Sequence, residues 1–376
     1  MKGKHLNIVS FGIPYPPDQG GLIDVFYKMK AFIDEGIKVH LHCFEYNREP
    51  AKILNELCES VHYYKRNLSK LDLFAKKPFI VISRTSEELV NNLLKNNYPI
   101  LFEGLHTCYY LDDKRLRDRI KIVRTHNIEH IYYKHLARVE KNVFRKYYFY
   151  NESNKLQSFQ KILKKADGIA AISLNDTAYF QKRCANVKTI MAFHSNNEVT
   201  IKKGKGDYVL YHGSLNVGEN NEAALYLIKN VFNDLKIPLI IAGNHPSKEL
   251  KEAVKNKKYI ELKNNVSTEE IYKLIRNAQI NILPTFQATG IKLKLLAALY
   301  QGRHCLVNST MVKDTGLETL CVIRDSPEEM KSSVKALFSI PFSQEEIKQR
   351  EDILLDNGFS NKQNIQELIK FLFRAV

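Results

Sequence analysis

The stretch PLIIAGNHPSKELKEAVKNKKYIELKNNVSTEEIYKLIRNAQINILPT, residues 238–285, decides the fold. An apolar run closes on Gly243 and Asn244. SKELKEAVKN then reads as a helix, YIELKNN as a strand, STEEIYKLIRNA as a second helix and QINILPT as another strand. Strands alternating with helices predict parallel βαβ units, because a parallel neighbour is reached only through a crossover. Ser267 and Glu270 have the spacing of a capping box at the head of the second helix.

The same grammar runs outward in both directions. Downstream lie a buried-looking helix within TGIKLKLLAAL (residues 289–299) and the strands HCLVNS and CVIRD. Upstream stand DYVLYHGS, a strand and turn, and the helix NNEAALYLIKNVF. Near the start, an apolar strand over 6–11 ends in the loop GIPYPPDQGG, and a helical pattern over 22–35 is closed by Gly36 before the strand KVHLHCF. ISRTSEELVNNLLKNNYPILFEG repeats the helix and strand, and residues 120–125 and 167–173 add two strands. Between those two strands, residues 128–166 predict two helices or one broken helix. MAFHSNNEVTIKKGKG has no apolar periodicity and marks a boundary. The expected organisation is an N-terminal Rossmann-like domain over 1–190, a linker over 191–206 and a second Rossmann-like domain over 207–358. A terminal helix in 359–376 is expected to pack back on the first domain.

Composition fits this picture. A chain of 376 residues is long for one core, and 44% hydrophobic with 10% aromatic residues is enough for two. No window approaches the roughly 20 apolar residues of a membrane span, and the start is too soon broken by prolines for a secretory segment. The six cysteines (Cys43, Cys58, Cys108, Cys184, Cys305, Cys321) stand singly, which excludes a zinc or disulfide framework of ordinary spacing and predicts buried thiols. The net charge of +16 predicts attraction to an anion: a nucleotide, an acidic membrane surface or, less in keeping with the rest, nucleic acid. Residues 134–165 carry nine Lys/Arg against two acids, interleaved with aromatics, a pattern that serves RNA, suits contact with anionic lipid or belongs to an ordinary solvated helical face.

Ligands of open parallel sheets bind outside the carboxyl ends of the strands. The turns at Gly20-Gly21, Gly213-Ser214 and Gly243-Asn244 let backbone approach a ligand closely. His126 and Asn127 follow a strand directly, with Glu129 close behind, and His106 has a similar placement; a histidine there can exchange protons with a substrate hydroxyl. At the helix start after Gly290, free N–H groups and the ammoniums of Lys292 and Lys294 can converge on one anion.

With these pieces assembled, the chain resembles the nucleotide-sugar glycosyltransferases of family 4, two-domain enzymes of GT-B fold whose Rossmann-like domains face a cleft. The resemblance rests on PYPPDQGG, THNIEH with Glu152 after it, KKADGIAAIS, HGSLNVGENNEAALYLI, PLIIAGN and GIKLKLLAALYQGRHCLVN. It implies retaining transfer from a UDP- or GDP-linked donor to a glycan or lipid-linked acceptor of surface polysaccharide, in the cytoplasm or on the inner membrane face. It implies no metal and no cofactor beyond the donor, and the residues show no metal-ligand spacing. His126, Lys292 and Lys294 would be catalytic. Gly20, Gly21, Gly213, Ser214, Gly243, Asn244, Val266, Thr289, Gly290 and Ile291 would hold the donor. His106, Asn127 and Glu129 would meet substrate. Family members commonly carry two glutamates with seven residues between them, where Thr289 and Ala297 stand here. This leaves a second reading open, a GT-B chain that binds a nucleotide sugar or acts as a scaffold without turnover.

Overall fold

The structure is a computed structural model that describes residues 3–140, 142–286, 292–356 and 358–373. These fall into two compact units, one of residues 3–195 with 358–373, the other of 196–286 with 292–356.

The first unit is a seven-stranded parallel sheet in the order β3-β2-β1-β4-β5-β6-β7. Its strands are β1 (His5–Ser10), β2 (Lys38–Glu45), β3 (Ser60–Lys65), β4 (Ile100–Glu103), β5 (Lys121–Thr125), β6 (Gly168–Ala171) and β7 (Val187–Thr189). Side chains alternate across the sheet, so Leu6 and Ile8 pack with Leu41 and Leu101 on one face while Val9 packs with Phe102 and Val123 on the other. The strand order reverses between β1 and β4, the place where such sheets open a crevice. β3 and β7 were not visible in the sequence. Both are edge strands, β3 is mostly half-buried and β7 has only three residues, so neither shows a continuous apolar run.

The last helix, Asn361–Leu372, belongs to this unit and buries Ile365, Leu368, Ile369 and Leu372 in the cluster that holds Leu6 and Ile8. The stretch read as a linker is not one. Phe193 is fully buried, its N–H donates to Asp24 Oδ1 at 2.8 Å, and the Ile190 and Met191 carbonyls accept from Arg124. Further on, the Thr200 N–H donates to the Tyr300 carbonyl at 2.8 Å and Gly204 bridges to Phe342. Backbone partners tie a segment that carries no apolar periodicity, and one unit passes to the other at residue 196 without a free tether.

The second unit has six parallel strands in the order β10-β9-β8-β11-β12-β13. They are β8 (Val209–His212), β9 (Leu239–Ala242), β10 (Ile260–Lys263), β11 (Ile280–Ile282), β12 (His304–Val307) and β13 (Val322–Ile323), and the order reverses between β8 and β11. All six coincide with strands read from the sequence. Ser267 caps the helix Thr268–Asn277 through the Glu270 N–H at 3.1 Å, while both halves of a capping box close at Ser326 and Glu329.

Candidate functional site

Each unit presents a group of polar side chains at its own switch point. In the first unit, the helix Gly20–Asp34 follows β1 and starts at Gln19 without a side-chain cap and without an acid in its first turn. Gly20 has open space around it. A Cβ on Gly21 would stand 2.8 Å from the Phe11 ring and 3.7 Å from His126 Nδ1, so only glycine allows this approach.

His126, just after β5, donates from Nε2 to Glu103 Oε2 at 3.0 Å, and its Nδ1 is buried without a hydrogen bond. Below it lies an ion network that the sequence did not reveal. Asp24 takes Lys28 at 2.7 Å and the Arg124 fork at 2.9 and 3.1 Å, and Lys28 also donates to Glu103 at 2.9 Å. Burial raises the Asp24 pKa, but the charges of Arg124, Lys28 and His126 outweigh it and hold the carboxyl far below its usual range. Two signals were available in the sequence: Asp24 and Lys28 are one turn apart on a buried helix face, and Arg124 sits inside an apolar strand. Asp24, Glu103 and His126 offer three ligand atoms within 4.8 Å of one another. Both carboxylates are already engaged by Lys28 and Arg124, so the arrangement fits an ion-pair network better than a dication.

His106 Nδ1 and Glu129 Oε1 lie 3.9 Å apart, and each is buried without a hydrogen bond. Burial, followed by the charge of Arg84, pushes His106 well below its ordinary pKa. Burial pushes the Glu129 carboxyl up to about 8, opposed by a hydrogen bond from Asn127. Glu129 is therefore mostly protonated at neutral pH and able to give or take a proton. Phe11 bridges the two histidines, with ring centroids 5.2 Å from His106 and 5.5 Å from His126. Gly20, Gly21, His106, His126, Asn127 and Glu129 thus gather around the carboxyl ends of β1, β4 and β5. Glu152 stands apart, fully buried and accepting from the Phe79 N–H at 2.7 Å.

In the second unit the helix of TGIKLKLLAAL begins later than its sequence suggests, at Leu293, with Lys292 as its N-cap and Lys294 second in the helix. Thr289, Gly290 and Ile291 lie outside the described residues. Lys294 Nζ donates to Asn220 Oδ1 at 2.9 Å and stands 5.7 Å from the Tyr211 ring centroid. Burial draws its pKa down to about 8, opposed by Glu219 and assisted by Lys292. Lys292 is lowered for the same first reason and again opposed by Glu219. Glu219, which also bonds Thr285, is the acidic neighbour the sequence lacked; it arrives from the helix Gly218–Tyr226, with no local signal at the lysines themselves.

Asn220 also donates to the Ser214 carbonyl at 3.1 Å, which joins the Gly213-Ser214 turn to the lysines. Gly243-Asn244 lies behind that turn. Asn244 Nδ2 reaches the Val266 carbonyl at 3.3 Å, and Asn244 Oδ1 is buried without a partner. A Cβ on Gly243 would fall 1.9 Å from the Gly213 carbonyl oxygen. Gly243→Ala is therefore expected to destabilise the second unit by about 2 kcal/mol, seen as a lowered melting temperature. Ala297 belongs to the apolar cluster of Leu210, Ile240, Ala242, Val266, Leu274, Ile275 and Ala278 and is 6% exposed. In this chain that position is core.

No family model matches the chain. A Klebsiella pneumoniae protein described as an uncharacterized 44.6 kDa protein in the cps region is 26% identical over 332 residues, covering 82% of this chain and 84% of the relative. Among solved structures, a variant of S. aureus TarM in complex with fondaparinux, alpha-GlcNAc-glycerol and UDP has a TM-score of 0.67 at 10% identity, covering 99% of this chain and 100% of that one. Sucrose-phosphate synthase from Thermosynechococcus elongatus has a TM-score of 0.63 at 14% identity, covering 98% of this chain and 95% of that one. An E. coli structure described as trehalose-6-phosphate bound with UDP-2-fluoro glucose has a TM-score of 0.62 at 11% identity, covering 99% and 100%. The fold is GT-B. The expectation of two doubly wound parallel sheets is met, and in this GT-B chain both sets of candidate residues stand at a strand-order reversal.

Proposed function

We propose that the chain is a retaining glycosyltransferase that moves a sugar from a UDP- or GDP-linked donor to a glycan or lipid-linked acceptor of cell-surface polysaccharide, without a metal. The observation that carries this reading is the pair Lys292 and Lys294, both drawn out of water near Glu219, with Lys294 joined through Asn220 to the Gly213-Ser214 turn. Ammoniums held in a partly dry site act strongly on charge that develops on a leaving diphosphate. In the reaction the bond from the anomeric carbon to the diphosphate oxygen breaks, the acceptor oxygen bonds that carbon, and its proton is given up. The second unit would hold the donor. The first unit, with His106, His126 and Glu129 around Gly21, would serve the acceptor side. The cps-region relative supports a role in surface polysaccharide.

Thermal-shift screening of UDP- and GDP-sugars tests the donor assignment: one of them is expected to raise the melting temperature, and no shift with any would contradict it. The pH dependence has a definite sign. Lys294 is a base whose pKa is lowered to about 8, so its charge is present below that value and lost above it. Nucleoside diphosphate affinity is expected to be strongest below pH 8 and to weaken between pH 8 and 9, and Lys294→Ala should flatten that profile.

We place the protein at the inner face of an anionic membrane through residues 134–165. There Val143, Phe144, Tyr147 and Tyr150 are exposed among basic side chains, Phe144 by 87%. No described helix is long and apolar enough to cross a membrane. Phe144→Ser is expected to reduce co-sedimentation with anionic vesicles several-fold. Equal recovery of both proteins in the pellet would remove the proposal, and nucleic acid is not expected to bind.

A further inference from the structure

One group of charges in the first unit is left unexplained by the sites above. Arg66 stands just beyond β3, and Arg84 lies shortly after the helix Phe79–Ile82. Their hydrogen bonds go to neutral partners. Arg66 Nη2 donates to Ser83 Oγ at 2.8 Å, Arg84 Nε to the Phe11 carbonyl at 2.8 Å and Arg84 Nη1 to the Ile80 carbonyl at 2.6 Å. Neither guanidinium has a carboxylate within ion-pair distance among the described residues. Arg66 Nε is buried without a hydrogen bond, and Arg84 is only 6% exposed.

The two charges act on each other. Burial and then Arg66 lower Arg84 to about 9, and both arginines depress His106. The carboxyl that Arg84 does feel, Glu129, is mostly protonated at neutral pH and leaves Oε1 unpartnered. Phenols complete the group. The Tyr46 ring lies 4.2 Å from the Arg66 guanidinium, Tyr133 acts on both arginines, and Tyr148 acts on Arg66. Two desolvated cations without a counter-charge are costly, and the cost is relieved by an anion that accepts from both forks.

We propose that Arg66 and Arg84 form an oxyanion seat in the first unit that takes a phosphate group of the acceptor. The reading rests on the first unit being the acceptor side. A phosphate is favoured over a carboxylate because two guanidiniums and several phenols match a group with up to two charges and three free oxygens. The phosphate can belong to a lipid or to a soluble sugar phosphate. The chain next to Arg66 favours the lipid, since Leu68, Leu71 and Phe74 are exposed there, the last by 88%.

Calorimetric titration with decyl phosphate and with inorganic phosphate separates the two sources. Tighter binding of decyl phosphate marks a lipid acceptor, and equal binding marks a soluble one. In either case Arg66→Gln is expected to weaken binding at least tenfold without lowering the melting temperature, and Arg66→Lys to restore part of it. Arg84 is left intact because its backbone bonds support the fold. Undiminished binding by Arg66→Gln, or no binding of either probe to the wild type at millimolar concentration, overturns the seat. UDP and GDP titrated in parallel keep the two claims apart: nucleotide binding that depends on Lys294 while phosphate ignores Arg66 removes only the seat. The converse removes the donor reading.

Discussion

Asp24→Asn is expected to destabilise the first unit by about 4 kcal/mol. The Asp24 carboxylate accepts from Lys28, from two nitrogens of Arg124 and from the Phe193 N–H, and all three charged side chains are fully shielded from water. The amide keeps the volume and loses the charge, leaving Lys28 with Glu103 alone and the buried Arg124 with backbone carbonyls and no carboxylate. Its NH2 group also adds donors where the site supplies only donors. Because the chain has two units, native-state hydrogen exchange at amides of β1, β4 and β5 is the suitable measurement, and those amides should lose protection in the variant. The pH sign follows from a carboxyl held below its usual range: its stabilisation is present above the unfolded value near 3.8 and is lost as pH falls toward the folded one. The gap between wild type and variant should therefore be constant above about pH 4 and narrow below it. Wild-type protection at those amides in the variant would contradict the network.

Joint replacement Lys292→Ala and Lys294→Ala is expected to weaken nucleoside diphosphate binding at least about a hundredfold, roughly 3 kcal/mol. The loss has two parts. Both cations near Glu219 disappear, Lys294 being the one joined through Asn220 to the Gly213-Ser214 turn, and Glu219 is left as an unopposed negative charge. Glu219→Gln gives the contrast: it removes the charge that opposes loss of the lysine protons, so the fall of affinity with rising pH should begin at a lower pH than in the wild type. Calorimetric titration of UDP and GDP reads both effects, and equal affinity in wild type and lysine variant would remove the grip.

The βαβ grammar was legible because parallel strands are buried on both faces and therefore appear as unbroken apolar runs ended by glycine turns, as at PLIIAGN and YHGS. β3 escaped because Val61, His62 and Tyr63 lie half-buried on an edge strand, and residues 191–206 misled because backbone hydrogen bonds leave no mark on hydropathy. At the candidate sites, the single residues at strand ends could be found from the sequence. Their partners could not. Glu219 reaches the lysines, and Glu103 reaches His126, only because separate crossovers return to the same end of a sheet. Ala297 shows the same limit in reverse: a position suggestive in alignment with a family proves to be packed among aliphatic side chains.

The most direct test of the central claim is turnover. Purified protein incubated with UDP- and GDP-sugars and a membrane extract as acceptor source should release one nucleoside diphosphate and pass the sugar to the extract, and the Lys292→Ala, Lys294→Ala variant should do neither. Binding of a nucleotide sugar without release would make the chain a binding partner instead of a transferase, and undiminished release by the variant would contradict the role given to the lysines.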